Sequence, residues 1–324
     1  MPSIMTVTLN PTVDLFSEVE VVRPIYKMRT LNDRCDPGGG GINVARVVTM
    51  LGGHAEAVFL AGGPTGMWLD TLLAREGIHR RMVQIEGDTR VAFSVNERGS
   101  GFDYRFLPLG PVVADKEMEP CLEIVRGHQG RYLVVSGSLP QGCSADIMIQ
   151  MARITSDKGA RFVLDSSGEG LRATLDQASV FLVKPSLGEL QQLVGHELDE
   201  DGVREAAVSL VSRGAAELVA VTMGAQGALL ASKEGTIRVW APRVKVRSAI
   251  GAGDSFLGAM VWALSRDWAV KGALNLGIAA GAAAVLTPGT QLCRQEDIRS
   301  LYPMSPDGRT ERDMDQRSGF WETS

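Results

Sequence analysis

The segment RSAIGAGDSFLGAM, residues 247–260, combines bare backbone with a carboxylate. Gly251 and Gly253 carry no side chain, and the apolar residues that follow are spaced as on a helix that starts at or just after Asp254. Amides at a helix N-terminus attract anions such as phosphate. Asp254 is itself an anion, so it either caps the helix or takes a proton from a substrate that reaches the same amides.

A second glycine-rich segment, DPGGGGINVAR, holds four successive glycines at 38–41 that run directly into a predicted helix. Glycine loses more conformational entropy on folding than any other residue, so packing does not account for such a run. We therefore expect a ligand to approach the backbone closely here. A flexible turn is the alternative, and the helix that follows at once disfavours it.

Two common nucleotide-binding signatures are missing from the sequence. It contains no G-x-x-x-x-G-K-[ST] segment, and Phe256 stands in GAGDSF where G-x-G-x-x-G requires its third glycine. The spacings therefore disfavour a P-loop enzyme and a Rossmann dehydrogenase.

The bulk composition narrows the class of protein further. With 324 residues, 44% of them hydrophobic, the chain can bury one sizeable α/β core or two modest ones. A net charge of −5 argues against nucleic-acid binding, which needs clustered cations. The four cysteines lack C-x-x-C spacing, which disfavours a zinc site or a disulfide framework and favours a cytoplasmic protein. The N-terminus does not read as a signal peptide, and residues 274–286 are too few to span a membrane.

Apolar, β-branched segments alternate with amphipathic ones along most of the chain. Strands are predicted at 4–10, 55–63, 131–138, 161–167, 180–186 and 217–224. Helices are predicted at 42–53, 65–77, 145–159, 203–214 and 254–265. This alternation predicts an α/β fold with a mostly parallel central sheet and helices on both of its faces. Ligands bind beyond the carboxyl ends of such strands, where the polar and glycine-rich segments fall.

Two segments interrupt the alternation. Residues 15–36 and 87–108 alternate as half-buried strands without helices between them, which predicts a small separate β-sheet that serves as a lid. A hairpin extension of the main sheet is the alternative. The interpretation divides the chain into one domain at 1–304 and a polar, disordered tail at 305–324.

Three motifs in a fixed order identify a known family. PGGGGINVAR near the N-terminus, SGSLP in the middle and GAGDSF near the C-terminus resemble the PfkB, or ribokinase-like, family of sugar kinases. The resemblance extends to about Pro303 and implies the ribokinase-like fold. Gly40 stands where the family's 1-phosphofructokinases and tagatose-6-phosphate kinases tend to carry lysine. The resemblance is therefore to the family's 6-phosphofructokinases, which phosphorylate fructose 6-phosphate with ATP and magnesium.

The resemblance also implies roles on the sugar side of the site. Hydroxyl groups of the sugar would be held by Asp14, Gly38, Gly39 and Asn43. Arg90 and Arg105 would clamp the phosphate of the substrate, for which the planar guanidinium fork is well suited, and Lys27 and Ser138 would assist. Taken alone, both arginines are more simply explained as exposed strand residues.

On the nucleotide side, the resemblance implies that Lys184 and Thr222 approach the phosphates, while Gly224 and Gly227 let a strand turn pass beneath the nucleotide. Glu189 would organise magnesium and its waters. Ser186 departs from the N-x-x-E element of the family, so one contact to the nucleotide or to a metal-bound water is missing or replaced.

The catalytic loop and a cation complete the implied site. The amides of Gly251, Ala252 and Gly253 would receive the γ-phosphate, and Asp254 would act as the base. A potassium ion would lie near the backbone of Ile250 and Gly289.

Alternatives remain open at this point. A 1-phosphofructokinase or tagatose-6-phosphate kinase would need only a displaced phosphate clamp. A sugar-phosphate sensor without catalysis would not need Asp254 and Glu189, and a nucleoside kinase would not need a cationic clamp on the acceptor. The apolar alternation of the lid segments predicts a homodimer formed through the lid.

Overall fold

The alternating segments form two β-sheets. The computed structural model describes residues 3–302. The strands are β1 (Ile4–Thr8), β2 (Thr12–Val19), β3 (Leu31–Gly38), β4 (Ala55–Ala61), β5 (Arg80–Gln84), β6 (Arg90–Glu97), β7 (Asp103–Phe106), β8 (Tyr132–Ser136), β9 (Arg161–Asp165), β10 (Val180–Val183), β11 (Ala216–Thr222), β12 (Ala228–Ser232) and β13 (Gly235–Val239). The helices are α1 (Gly40–Met50), α2 (Gly63–Arg75), α3 (Asp115–Gly127), α4 (Asp146–Asp157), α5 (Gly168–Gln177), α6 (Leu187–Val194), α7 (Glu200–Ser212), α8 (Ala252–Ser265), α9 (Val270–Ala284) and α10 (Gln295–Leu301).

The large sheet has the order β13-β12-β11-β10-β9-β8-β1-β4-β5. Its pairs are parallel from β11 to β5, and the two pairs made by β12 are antiparallel. Successive residues of a strand point to opposite faces, so Ile4 enters one apolar cluster and Met5 the other. The prediction of a mostly parallel sheet covered by helices on both faces is confirmed.

The small sheet has the order β3-β2-β6-β7 and is separate from the large one. The hairpin-extension alternative is therefore wrong. The strand β2 begins at Thr12, before the predicted boundary at 15, and pairs in parallel with β6. Residues 20–30, inside the predicted lid segment, form no strand.

The two faces of the small sheet differ in polarity. The pairing register places Asp14, Asp36 and Arg105 on one face. This face lies against the main domain, since Thr290 donates a hydrogen bond of 2.5 Å to Asp36. Phe93 and Phe106 pair on the other face, where they are 38% and 61% exposed.

Several elements differ from their prediction. The helix α8 begins at Ala252, two residues before Asp254. The segment at 274–286 lies largely in α9, where alanine and glycine allow close packing on α8. The helix α3 was not predicted, because Pro120 inside it obscures the helical pattern of the sequence. Within residues 3–302, no helix has the length and hydropathy needed to cross a membrane. The predicted tail at 305–324 lies outside the described residues.

Candidate active site

The loop before α8 positions Asp254 inside the first helical turn. Gly251 occupies the N-cap position with a φ of 72°, which is unfavourable for residues with a side chain. Asp254 is the third residue of the helix, and no side chain caps this N-terminus. The interpretation of Asp254 as a simple cap is therefore wrong. Its Oδ2 instead accepts a hydrogen bond of 2.8 Å from Nδ2 of Asn43 on α1.

The surroundings of Asp254 change its acidity. Desolvation raises the pKa of this half-buried carboxyl group to about 6, and the negative charge of Asp165 acts in the same direction. The hydrogen bond from Asn43 and the charges of Lys184 and Arg46 oppose the rise. A carboxylate with this pKa is mostly ionised at neutral pH and can still take up a proton, as a general base must.

Three neighbouring strands place a row of polar side chains beside the Asp254 carboxylate. Ser136, Asp165 and Lys184 follow one another at the carboxyl ends of β8, β9 and β10. The Lys184 ammonium is buried and forms an ion pair of 3.0 Å with Asp165, which also accepts a hydrogen bond of 3.0 Å from Ser136. Sequence reasoning missed the role of Asp165, although its place at the end of a predicted strand was a signal.

Lys184 keeps its charge despite its burial. Burial by itself lowers the pKa of Lys184, but the charges of Asp165, Glu189 and Asp254 outweigh this effect and raise it. A Cβ atom on Gly253 would lie 3.4 Å from Nζ of Lys184. The open side of the glycine loop therefore faces a buried cation, which is an arrangement suited to an anion.

Packing accounts for the glycines at 38–41, contrary to the prediction. A Cβ on Gly38 would overlap the carboxylate of Asp14, and a Cβ on Gly40 would overlap Ser136. On Gly41 it would lie 2.6 Å from the carbonyl oxygen of Val7. The expectation that packing cannot account for this run is wrong, because the start of α1 lies directly against the ends of β1 and β8.

Several of the predicted sugar-side residues lie near Asp14. Asp14 lies against Gly38, and burial raises its pKa to about 6, with the charge of Asp36 adding to the rise and that of Arg105 opposing it. Arg105 is exposed on the same face of the small sheet. The structure therefore brings Asp14, Gly38, Gly39 and Asn43 together around the start of α1, and the charge of Arg105 acts on Asp14 from the same face of the small sheet.

Arg90 is partly committed to the backbone. Its guanidinium group donates to the carbonyl oxygens of Asn10, Pro108 and Pro11 at 2.7, 3.0 and 3.4 Å. These carbonyls lie on chain segments that connect the two sheets, and burial lowers the pKa of Arg90. Two of its five N–H groups remain for a ligand.

Ser138 and Lys27 are not among the residues that gather at the start of α1. Ser138 is exposed and accepts a hydrogen bond of 3.4 Å from Asn10. Lys27 is exposed in the segment that joins β2 to β3.

The predicted nucleotide side centres on α6. Ser186 caps this helix, since its Oγ accepts from the Glu189 amide at 3.3 Å while Glu189 accepts from the Ser186 amide at 2.7 Å. This capping box explains both residue types without a ligand. It leaves the second carboxylate oxygen of Glu189 for a metal-bound water.

The glycines after β11 differ from each other. A Cβ on Gly224 would meet nothing within 4 Å, whereas a Cβ on Gly227 would overlap the carbonyl of Val239. Gly227 therefore serves the packing of the turn. Thr222 bridges to Ser186, which joins this turn to the start of α6.

Ser248 connects the two predicted potassium ligands. Its hydroxyl donates to the Gly289 carbonyl at 2.8 Å and accepts from the Ile250 amide at 3.2 Å. Phe16 of the small sheet packs on Gly289.

In residues 3–302, no cluster of three histidine, cysteine, aspartate or glutamate side chains could hold a metal ion.

A nine-stranded α/β sheet with a small second sheet, and a glycine loop beside a buried lysine and a carboxylate, define a kinase of the ribokinase-like type. Residues 7–297 match the pfkB family of carbohydrate kinases, and the chain belongs to this family.

Individual relatives are more specific. The chain is 43% identical to ATP-dependent 6-phosphofructokinase isozyme 2 of Mycobacterium tuberculosis, over 94% of this chain and 90% of the relative. It is 32% identical to the 1-phosphofructokinase of Bacillus subtilis, over 93% and 97%.

A solved structure agrees with these relatives. Phosphofructokinase-2 from Escherichia coli in complex with substrates and products is 40% identical, with a TM-score of 0.88 over 93% of this chain and 98% of that one. The same enzyme has been solved with fructose-6-phosphate and with potassium, at TM-scores of 0.88 and 0.89 and identities of 39% and 40%, over 94% of this chain and 99% of that one.

Proposed function

We propose that this chain transfers the γ-phosphoryl group of ATP to the free primary hydroxyl of fructose 6-phosphate, which yields fructose 1,6-bisphosphate. The observation that carries the proposal is the position of Asp254, whose carboxylate lies in the first turn of α8 beside the open glycine loop. The 6-phosphofructokinase relatives support the choice of substrate, because the 1-phosphofructokinase relative is less similar.

The reaction moves one proton and one phosphoryl group. Asp254 accepts the hydroxyl proton as the sugar oxygen bonds to the γ-phosphorus, and the bond from that phosphorus to the bridging oxygen breaks to release ADP. The amides of Gly251, Ala252 and Gly253 face the transferred group. The ammonium of Lys184 adds a positive charge next to Gly253.

The sugar phosphate is held from the small sheet. Asp14 accepts hydrogen bonds from sugar hydroxyls, Asn43 donates its second amide hydrogen, and Gly38 and Gly39 bring their backbone close. Arg105 has its guanidinium group exposed for the phosphate, and Arg90 contributes its two remaining N–H groups, with Lys27 and Ser138 at the margin.

The nucleotide is held by the loops after β10 and β11. Lys184, Ser186 and Thr222 lie together there, and the turn at Gly224 leaves open space above its backbone. Magnesium supplies charge neutralisation of the phosphates when bound. Glu189 fits it as a ligand through water, because magnesium keeps several waters and needs few protein ligands.

A monovalent cation completes the proposed site. Ser248 joins the Ile250 amide to the Gly289 carbonyl just before the glycine loop, and potassium held by backbone oxygens of Ile250 and Gly289 would fix the loop. We expect activity to fall when potassium is replaced by a large organic cation. Equal activity in both salts would contradict this part of the proposal.

A homodimer through the small sheet is also part of the proposal. The outer face of this sheet exposes Phe93 and Phe106, and a second copy of the face would cover them. Light scattering is expected to give twice the mass of the chain. A strict monomer at working concentration would contradict the dimer.

The experiment that tests the function is an acceptor panel with ATP and magnesium. ADP release is measured, and the position of the new phosphate is read by mass spectrometry and ³¹P NMR. Fructose 6-phosphate is expected to give the 1,6-bisphosphate at the highest kcat/KM. Preference for fructose 1-phosphate, a tagatose phosphate or a nucleoside would contradict the substrate, and sugar-phosphate binding without ADP release would indicate a sensor.

A further inference from the structure

Arg46 lies one turn after Asn43 on α1, and each nitrogen of its guanidinium group has an acceptor. Nε and Nη2 donate to Glu76 at 2.6 and 2.8 Å, and Nη1 donates to the carbonyl of Pro37 at 3.0 Å and to Oδ1 of Asn43 at 3.1 Å. The side chain is only 11% exposed. An arginine held at every nitrogen is not free to turn toward a substrate, so its effect passes through its neighbours.

The hydrogen bonds from Arg46 through Asn43 to Asp254 all run in one direction, from donor to acceptor. Arginine can only donate, so the Asn43 atom that faces Arg46 must be the amide oxygen. The amide nitrogen of Asn43 must then face Asp254, to which it donates at 2.8 Å. Asp254 therefore accepts this hydrogen bond at Oδ2, which leaves Oδ1 as the oxygen that is open to a proton from the substrate.

The other charged groups around Asp254 do not fix its orientation. Asp165 disfavours the ionised form and Lys184 favours it, but both lie at the ends of β9 and β10 and are paired with each other. The charge of Glu189 raises the pKa of Lys184. From α1, only Asn43 bonds to the carboxylate in the part of the chain that the structure describes, and Arg46 fixes Asn43.

We propose that Arg46, anchored by Glu76, is a positioning residue that sets the amide orientation of Asn43 and thereby the orientation and ionisation of Asp254. The hydrogen-bonded residues come from three helical segments, because Glu76 is the C-cap of α2 while Asn43 lies on α1 and Asp254 on α8. The proposal deepens the proposed function of the same site and rests on it. Its test has one readout that does not need turnover.

Arg46→Met removes the fork and the charge at similar length. The readout is the titration midpoint of the Asp254 carboxyl carbon by NMR of protein labelled at aspartate, with Asp254→Asn used for assignment. We expect the midpoint to rise by roughly half a pH unit or more, since the variant loses a positive charge and the oriented donor. The acid limb of kcat should rise with it, and kcat at neutral pH should fall by roughly tenfold with a nearly unchanged KM for the sugar phosphate.

The protein contains a matched control for this variant. Arg80 forms a bidentate pair with Asp70 at 2.7 and 2.9 Å, and Asp70 lies on the same helix α2. Arg80→Met breaks a pair of the same kind and leaves the Asn43 amide untouched. We expect the Asp254 midpoint and kcat in this variant to equal those of the wild type.

Glu76→Gln is the second variant, because it keeps Arg46 and loosens only its anchor. It should move the midpoint in the same direction by less, and it carries the test if Arg46→Met does not fold. An unchanged Asp254 midpoint in folded Arg46→Met would overturn the proposal. If Arg46→Met does not fold, an unchanged midpoint in Glu76→Gln would overturn it. A raised midpoint in a protein that releases no ADP with any sugar phosphate would support the positioning role and contradict the proposed function instead.

Discussion

The two glycine-rich segments look alike in sequence and differ in structure. At 38–41, a side chain on any of the four glycines would collide with protein atoms of β1, β2 or β8 or their adjoining loops. At 251–253, a Cβ would meet only the flexible end of Leu292 beside Gly251 and the ammonium of Lys184 beside Gly253. The first run allows a helix to lie directly on strand ends, whereas the second leaves open backbone in front of a buried cation.

The difference shows why glycine content alone is an ambiguous signal. Both runs precede a helix, and both have a carboxyl group nearby whose pKa is raised to about 6, Asp14 in the first case and Asp254 in the second. Only the atoms around each missing side chain separate a packing requirement from a ligand requirement. Substitutions that add one methyl group at each run therefore test the comparison.

Gly41→Ala should have the largest effect on folding. The added Cβ would lie 2.6 Å from both the Val7 carbonyl oxygen and the hydroxyl of Thr8. Because the carbonyl belongs to a central strand, it cannot move aside, and we expect a loss of about 3 kcal/mol in the free energy of unfolding. Chemical denaturation measures it. A fully stable Gly41→Ala would mean that the first run is not set by packing.

Gly253→Ala should have the opposite profile. The new methyl group would lie 3.4 Å from Lys184, in ordinary contact, and alanine in a helix stabilises by roughly 0.5–1 kcal/mol relative to glycine. The methyl would occupy space that the transferred phosphate needs, so kcat should fall by roughly a hundredfold. Unchanged kcat in this variant would remove the distinction between the two runs.

The pH dependence should separate the carboxyl groups that adjoin the two runs. Asp254 must be ionised during turnover, so log kcat should fall with a slope of one at low pH, and in the free enzyme the pKa of this carboxyl group is about 6. The free enzyme needs Asp14 ionised as well, so log kcat/KM should approach a slope of two below about the same pH. A slope of one in both profiles would exclude Asp14 from substrate binding.

Ser186→Asn should have the smallest effect. Asparagine caps a helix about as well as serine, so the capping box with Glu189 should survive. The added amide should leave the KM for MgATP unchanged or lower it. A large loss of activity would show that the proposed nucleotide site uses the serine hydroxyl directly.

The sequence predicted the sheet, the second sheet and the family, because these depend on local periodicity and on motif order. It could not predict the start of α8, since helix caps depend on a backbone angle at Gly251 that apolar spacing does not encode. The Asp165–Lys184 pair required knowledge that β9 and β10 are neighbours. The hydrogen bonds among Glu76, Arg46 and Asn43 could be predicted only from the packing of α1 against the end of α2, which no spacing in the sequence reveals.

Replacement of Asp254 also has a consequence for stability. Its pKa is raised on folding, so ionisation of the carboxyl group costs stability above about pH 6 and costs nothing below its unfolded value. Asp254→Asn should therefore increase the free energy of unfolding at pH 7 by about 1–3 kcal/mol, and the gain should vanish near pH 4. The variant is thus expected to be folded when its turnover is measured.

The value of kcat for Asp254→Asn with fructose 6-phosphate and MgATP tests the central claim most directly. Asparagine keeps the size of the side chain and can still accept the hydrogen bond from Asn43, but it cannot take up the hydroxyl proton. We expect kcat to fall by about 10²–10⁴-fold while KM for both substrates changes little. A variant that retains most of the wild-type kcat would contradict the assignment of Asp254 as the base.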